Sequence, residues 1–141
     1  MYKIKYSTWP NYNRKIIDSV SNILKSGKVN YLNGYYGKKF EYAFRRKFNL
    51  NYTCAVANGT LALEIALLSL KLKKSDEVIV TPRSYNSSAS SVLRVNAKPV
   101  FADIDRESFN LTPETIKKMI TNNTKVIICV HLYGHPCNMV E

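Results

Sequence analysis

Apolar positions spaced three and four apart open the chain. Ile16, Ile17, Val20, Ile23 and Leu24 fall on one face of a helix predicted over residues 11–26, with Gly27 as its stop. A loop with three glycines and three tyrosines follows over 27–37. A second helix is predicted over 38–48, where Phe40, Phe44 and Phe48 recur every fourth residue as a core-facing stripe. From residue 52 the pattern alternates. Strand 52–57 precedes helix 60–72, and Val78-Ile79-Val80 leads through Thr81-Pro82 to a helix near 85–95. Strand 98–102 leads to a helix from Pro113 to about residue 121, and a last strand runs from Lys125 to Val130. Thr112 is the expected N-cap of the fifth helix, with Pro113 at its first position and Glu114 complementing the dipole.

Repeated strand–helix units imply an α/β fold, a three-layer arrangement in which helices cover both faces of a largely parallel sheet. The division expected is an N-terminal helical segment, residues 1–50, followed by the α/β part, residues 51–141. In helix 60–72, Thr60, Glu64, Ser69 and Lys71 are a polar minority, so near-complete burial is expected.

Composition narrows the class. No apolar run reaches the 18–20 or so residues that span a bilayer, and the start, Met1-Tyr2-Lys3-Ile4-Lys5-Tyr6, lacks an apolar signal core. Both point to a cytoplasmic protein without a membrane partner. Cys54, Cys129 and Cys137 are odd in number and lie in or beside predicted strands, which suits reduced, mostly buried thiols. The net charge of +11 is concentrated: residues 1–50 carry eleven Lys or Arg against Asp18 and Glu41 alone. Arg45-Arg46-Lys47 is interleaved with Phe44 and Phe48 at helical spacing, so this charge reads as a solvated helix face or subunit contact and not as a nucleic-acid arm. Fourteen Asn beside many Lys, Ile and Tyr fit an AT-rich coding sequence.

Candidate chemistry gathers at the carboxyl ends of the predicted strands, where open α/β sheets place their sites. Those ends carry Asn58-Gly59-Thr60, Thr81 to Tyr85, Ala102 to Asp105, and His131-Leu132-Tyr133-Gly134. A strand that turns through Asn-Gly-Thr into a helix aims bare N–H groups and the positive helix end at one point, which suits a phosphate. No dinucleotide, nucleoside-triphosphate or nucleophile-elbow motif is present. His131, His135 and Cys137 superficially suggest metal ligands. Gly134 and Pro136 prevent the helix that would align the two histidines, and no second ligand pair exists, so no metal site is expected.

Five ordered motifs together resemble the DegT/DnrJ/EryC1/StrS family of pyridoxal-phosphate-dependent sugar aminotransferases, in its N-terminal portion. They are Ser26-Gly27 with Gly34 and Phe40-Glu41; Asn58 to Leu63; Asp76 to Pro82; Lys98 to Asp105; and Val130 to Pro136. The resemblance implies the large domain of the fold-type-I aminotransferase fold, a homodimer, and transfer of an amino group from an amino-acid donor to a keto-sugar nucleotide in cell-surface polysaccharide biosynthesis. It implies pyridoxal 5′-phosphate as cofactor, with Gly59 and Thr60 holding its phosphate and Tyr85 against its ring. Asp103 and Asp105 match a family signature and read as loop-shaping carboxylates, and His131 as a residue that orients backbone or substrate-side groups.

The resemblance also implies a Schiff-base Lys and an Asp for the pyridine nitrogen. No lysine here matches the former: Lys125 precedes a strand, and Lys117 and Lys118 lie on the outer side of a helix. No catalytic residue is therefore assigned, and the sequence is expected to be a partial one, inactive alone. Two alternatives stay open: a sugar dehydratase of the same family, in which His replaces that Lys, and a stand-alone α/β protein binding a phosphorylated metabolite.

Overall fold

The computed structural model describes Trp9–Glu141; the start, Met1-Tyr2-Lys3-Ile4-Lys5-Tyr6, read for signal character, lies outside the described residues. The chain forms two compact units, Met1–Ala55 and Val56–Glu141.

In the first unit, helix α1 spans Arg14–Lys25 and helix α2 spans Tyr36–Lys47. The Asn13 side chain accepts from Ile16 N–H and so begins α1. Both helices have the predicted amphipathic pattern, yet neither buries a residue. The Phe stripe of α2 stacks on itself, with ring centroids 5.8 Å apart for Phe40–Phe44 and 4.5 Å for Phe44–Phe48. All three rings remain exposed. The expected core stripe is thus an uncovered one, because among the described residues no further layer of this unit lies over it.

The second unit contains α3 (Gly59–Ser69), β1 (Glu77–Val80), α4 (Ser87–Arg94), β2 (Lys98–Phe101), α5 (Pro113–Lys117) and β3 (Thr124–Ile127). The strands are parallel, in the order β2-β1-β3. The connection through α4 carries the chain from the central strand to one edge. The connection through α5 then carries it back across to the other edge. Right-handed crossovers in opposite directions place their helices on opposite faces, and two cores record this. Val78 and Val80 pack with Leu67 of α3 and Val92 of α4, while Ile79, pointing the other way, packs with Leu111, Ile116 and Met119. The α/β three-layer arrangement follows from this alternation.

β1 is apolar on both faces because it is covered on both; Val78, Ile79 and Val80 have no exposed surface. Full burial of each contributes about 1.5–3 kcal/mol before entropy is counted. Glu77 at the strand's start is also buried, and is compensated by Lys98 Nζ at 2.8 Å and the Thr121 hydroxyl at 2.6 Å. Those two donors hold its carboxyl below the usual carboxylate range. On the opposite face, Thr112 caps α5 through a box with Thr115, with Pro113 in the first turn.

Three expectations need correction. Residues 52–57 form no strand: among the described residues nothing pairs with them in a ladder, and the Ala55 N–H is taken by the Glu41 carboxylate at 2.7 Å. Helix α3 is not enveloped. Only Leu67 is buried, while Leu61, Ile65 and Leu68 stay exposed, because within its unit the helix has the sheet and α4 on one side only. The thiols are free but not uniformly buried: Cys137 is buried, Cys129 half-buried, and Cys54, on the unpaired segment, exposed.

Candidate functional site

The turn at Asn58 is built by its own side chain. Asn58 is extended, and its Oδ1 accepts from Leu61 N–H at 2.9 Å, which fixes the start of α3. Its carbonyl accepts from Ala62 N–H at 3.1 Å. With those two amides satisfied, the N–H groups of Gly59 and Thr60 have no protein acceptor among the described residues, and neither does the Thr60 hydroxyl. A Cβ built at Gly59 meets nothing within 4 Å. Three donors without a protein acceptor among the described residues therefore stand at the positive end of an eleven-residue helix.

The carboxyl end of β1 runs into Thr81-Pro82-Arg83-Ser84-Tyr85. Thr81 is buried, and its hydroxyl accepts from Arg83 N–H at 3.2 Å. Ser84 and Ser88 hydroxyls share a hydrogen bond of 2.6 Å, which ties this turn to the first turn of α4. The Arg83 guanidinium donates to the Phe109 carbonyl at 3.1 Å and lies 5.3 Å from the Phe109 ring centroid. Tyr85, two residues before α4, is 75 % exposed, so its ring is available to a ligand.

Helix α4 leaves the carboxyl end of β1 and returns to the start of the parallel strand β2, so it runs antiparallel to both. The turn Lys71–Asp76 joins the end of α3 to the start of β1, closed by Asp76 N–H donating to the Lys73 carbonyl and by Lys73 N–H donating to Asp76 Oδ2. The two helices pack together on one face of the sheet, and their N-termini point to the carboxyl ends of the strands. Gly59, Thr60 and Tyr85 thus open neighbouring helices on one face.

The chain leaves β1 toward one edge and reaches β3 on the other, which makes the β1/β3 boundary the topological switch point. The strand following that boundary delivers His131. Its Nδ1 accepts from Cys137 N–H at 3.0 Å, which leaves the ring proton on Nε2. The residue therefore orients backbone, as expected, and presents one N–H donor. Tyr133, in the short 3-10 turn Leu132–Gly134, has φ 55° and is almost fully exposed.

The loop after β2 is shaped by carboxylates, as read from sequence. Asp105 Oδ2 accepts from Glu107 N–H, Ser108 N–H and the Ser108 hydroxyl at 3.1, 2.8 and 2.9 Å. The Ser108 N–H, then its hydroxyl, hold the Asp105 carboxyl below its usual range. Among the described residues, Asp103 accepts only from Ile104 N–H. A cavity of about 730 Å³ lies beside this loop, and Gly59, Thr60, Tyr85 and His131 are not among its lining residues. The turn at Gly59 is open, with nothing within 4 Å of where a Cβ would stand.

Two polar groups have roles that the sequence reading did not assign. Asn110 is buried, and its amide donates to the Pro136 carbonyl at 2.9 Å, which staples the loop after β2 to the loop after β3. Glu41, in the first unit, accepts from Ala55 N–H at 2.7 Å and from the Tyr31 hydroxyl at 2.9 Å. The Ala55 amide and then the Tyr31 hydroxyl lower its carboxyl, and the same hydrogen bond raises the Tyr31 phenol. The signal for Glu41 was present: beside Asp18 it is the only acid in the basic first third.

The DegT/DnrJ/EryC1/StrS aminotransferase family model matches residues 10–141. Among characterised relatives, GDP-perosamine synthase of Escherichia coli O157:H7 is 44% identical over 108 residues, covering 77% of this chain and 30% of the relative. The 3-oxo-glucose-6-phosphate:glutamate aminotransferase of Bacillus subtilis is 34% identical over 124 residues, covering 88% of this chain and 28% of the relative. The X-ray structure of the aminotransferase from Psychrobacter cryohalolentis superposes with a TM-score of 0.90 at 45% identity, over 96% of this chain and 34% of that one. The E. coli GDP-4-keto-6-deoxy-D-mannose-3-dehydratase with bound hydrated PLP superposes with a TM-score of 0.79 at 28% identity, over 98% and 36%. The chain spans about a third of the length of these proteins.

Proposed function

Because the chain belongs to the DegT/DnrJ/EryC1/StrS aminotransferase family, we propose that it supplies the phosphate- and ring-binding part of a pyridoxal-phosphate-dependent sugar aminotransferase. The enzyme moves an amino group from an amino-acid donor onto a keto-sugar nucleotide, and acts as a cytoplasmic homodimer. The observation that carries this reading is the start of α3. There Asn58 satisfies Leu61, while the amides of Gly59 and Thr60 and the Thr60 hydroxyl have no acceptor among the described residues.

Those donors fit a phosphate dianion. The two amides and the hydroxyl would donate to its oxygens, and the α3 dipole would add a favourable field. Gly59 leaves the approach open, since it has no side chain and no neighbour where one would stand. Tyr85, exposed at the start of the neighbouring helix, would pack against the cofactor ring and exclude water from it. His131, its Nδ1 held by Cys137 N–H, offers Nε2–H as a donor to the substrate side. When bound, pyridoxal phosphate supplies a conjugated ring that accepts the electron pair released at the amino-acid carbon. No lysine of this chain is assigned a covalent role.

The transferase reading is preferred to the dehydratase one on similarity: 45% identity to the Psychrobacter aminotransferase structure against 28% to the dehydratase. The GDP-perosamine synthases support a nucleotide-linked sugar as acceptor. The test is cofactor titration of the full-length protein, followed by cofactor absorbance and by competition with inorganic phosphate. Thr60→Val removes one charge-assisted hydrogen bond, an effect of about 1.5–3 kcal/mol or roughly a 10- to 150-fold weaker Kd. Unchanged affinity in Thr60→Val, or phosphate that fails to compete, overturns the assignment.

A further inference from the structure

Neither the phosphate turn nor the ring contact uses the thiols at the far end of β3. Side chains alternate along a strand, so Cys129 shares the face of Ile127, opposite Ile128, which packs on the first core. The chain then turns through Leu132–Gly134 and doubles back. Cys137 N–H donates to His131 Nδ1 at 3.0 Å, and Cys137 Sγ lies 3.5 Å from the carbonyl oxygen of Val130, the residue next to Cys129. Both cysteines line one apolar cavity of about 400 Å³, with Leu111, Ile116 and Met139. Burial raises the Cys129 thiol, and the nearby Cys137 raises it further. Cys137 Sγ thus stands one residue along from Cys129, and both side chains border the same cavity, which brings the two thiols to one place in the fold.

We propose that Cys129 and Cys137 form a reversible intramolecular disulfide by exchange with low-molecular-weight disulfides such as oxidised glutathione. One protein thiol loses its proton and attacks a glutathione sulfur, forming a mixed disulfide and releasing one glutathione as its thiol. The second protein thiol loses its proton and attacks the protein sulfur of that mixed disulfide, releasing the second glutathione. Two protein thiols are oxidised and one glutathione disulfide is reduced to two thiols, so atoms and electrons balance. The bond closes the loop 129–137, which carries His131, and restricts the turn at Tyr133. Exchange accelerates as pH rises, because the raised Cys129 thiol must lose its proton.

The residues 126–141 contain no Lys or Arg, so a single tryptic peptide beginning at Val126 carries both cysteines, and Cys54 lies in another. The full-length protein is equilibrated in glutathione buffers of rising oxidising strength, alkylated with iodoacetamide, digested and weighed. In oxidising buffer this peptide is expected to lose two hydrogens and both alkylation sites, and to regain both after reduction. Exposed Cys54 then carries a glutathione adduct and serves as the control. Cys129→Ser and Cys137→Ser are each expected to leave the remaining thiol as a glutathione adduct. A wild-type peptide that keeps two alkyl groups, or gains two glutathione adducts, while Cys54 is modified overturns the proposal. The measurement needs no cofactor, so its outcome is independent of the function proposed above.

Discussion

Asn110 is the residue whose loss should be felt furthest from its own position. Its amide is buried and faces two carbonyl oxygens, Pro136 at 2.9 Å and His135 at 3.5 Å, so only the NH₂ end fits there. Its own carbonyl accepts from Asp105 N–H at 2.9 Å, which places it within one loop while its side chain reaches the other. Asn110→Ala leaves the Pro136 carbonyl without its donor, a loss of about 1–3 kcal/mol for a buried group. That corresponds to roughly 5- to 150-fold faster local opening. Hydrogen exchange on the full-length protein reads it directly, at the amides of Cys137, His135 and Gly134 beyond the staple. Asn110→Asp should be worse than Ala near neutral pH, because a carboxylate then faces two carbonyl oxygens. Its defect should shrink on acidification, since a protonated Asp can donate to one of them. If exchange beyond residue 131 is unchanged in the Ala variant, or Asp proves milder than Ala at neutral pH, the staple is not what holds the two loops together.

Other perturbations follow from the same contacts. Ile79→Ala, at a fully buried position of the central strand, should cost about 2–5 kcal/mol, whereas Leu68→Ala, 54 % exposed on α3, should stay within roughly 0.5 kcal/mol; urea unfolding compares them. Asp105 should titrate below an ordinary aspartate by NMR. Since its folded value is the depressed one, its contribution is present above the unfolded value and is lost as pH falls through the folded value. Ser108→Ala should move the titration back upward. Lys98→Met should likewise raise the Glu77 titration, because the Lys98 ammonium is the largest of the groups that lower it.

Local signals were legible wherever a residue's partner lies close along the chain. Thr112 and Pro113 announced α5, and the run Val78-Ile79-Val80 announced a strand covered on both faces. The turn Asn58-Gly59-Thr60 was readable because helix caps are written within four residues. What failed depended on distant cover. An apolar stripe such as Phe40-Phe44-Phe48 states that a face can be buried, not that something lies over it. The β-favouring run at 52–57 states that a ladder is possible, but a ladder needs a neighbour, and the Ala55 amide found the Glu41 carboxylate instead. Asn110 was invisible for a related reason. Its staple joins residues 26 positions apart, and nothing in an Asn marks which carbonyl it will meet.

The order β2-β1-β3 carries a consequence for how the molecule is made. Glu77 pairs with Lys98 and with Thr124, loops of about 21 and 47 residues. By chain entropy the longer closure costs roughly 0.7 kcal/mol more than the shorter. It also comes later from the ribosome, since β3 is the last of the three to be synthesised. The central strand therefore acquires its first partner through α4 while its other edge still offers a row of unpaired amides and carbonyls. Arrival of Thr124–Ile127 closes that edge, so the pause between the two pairings is when a nascent chain is most open to pairing with a second copy of itself.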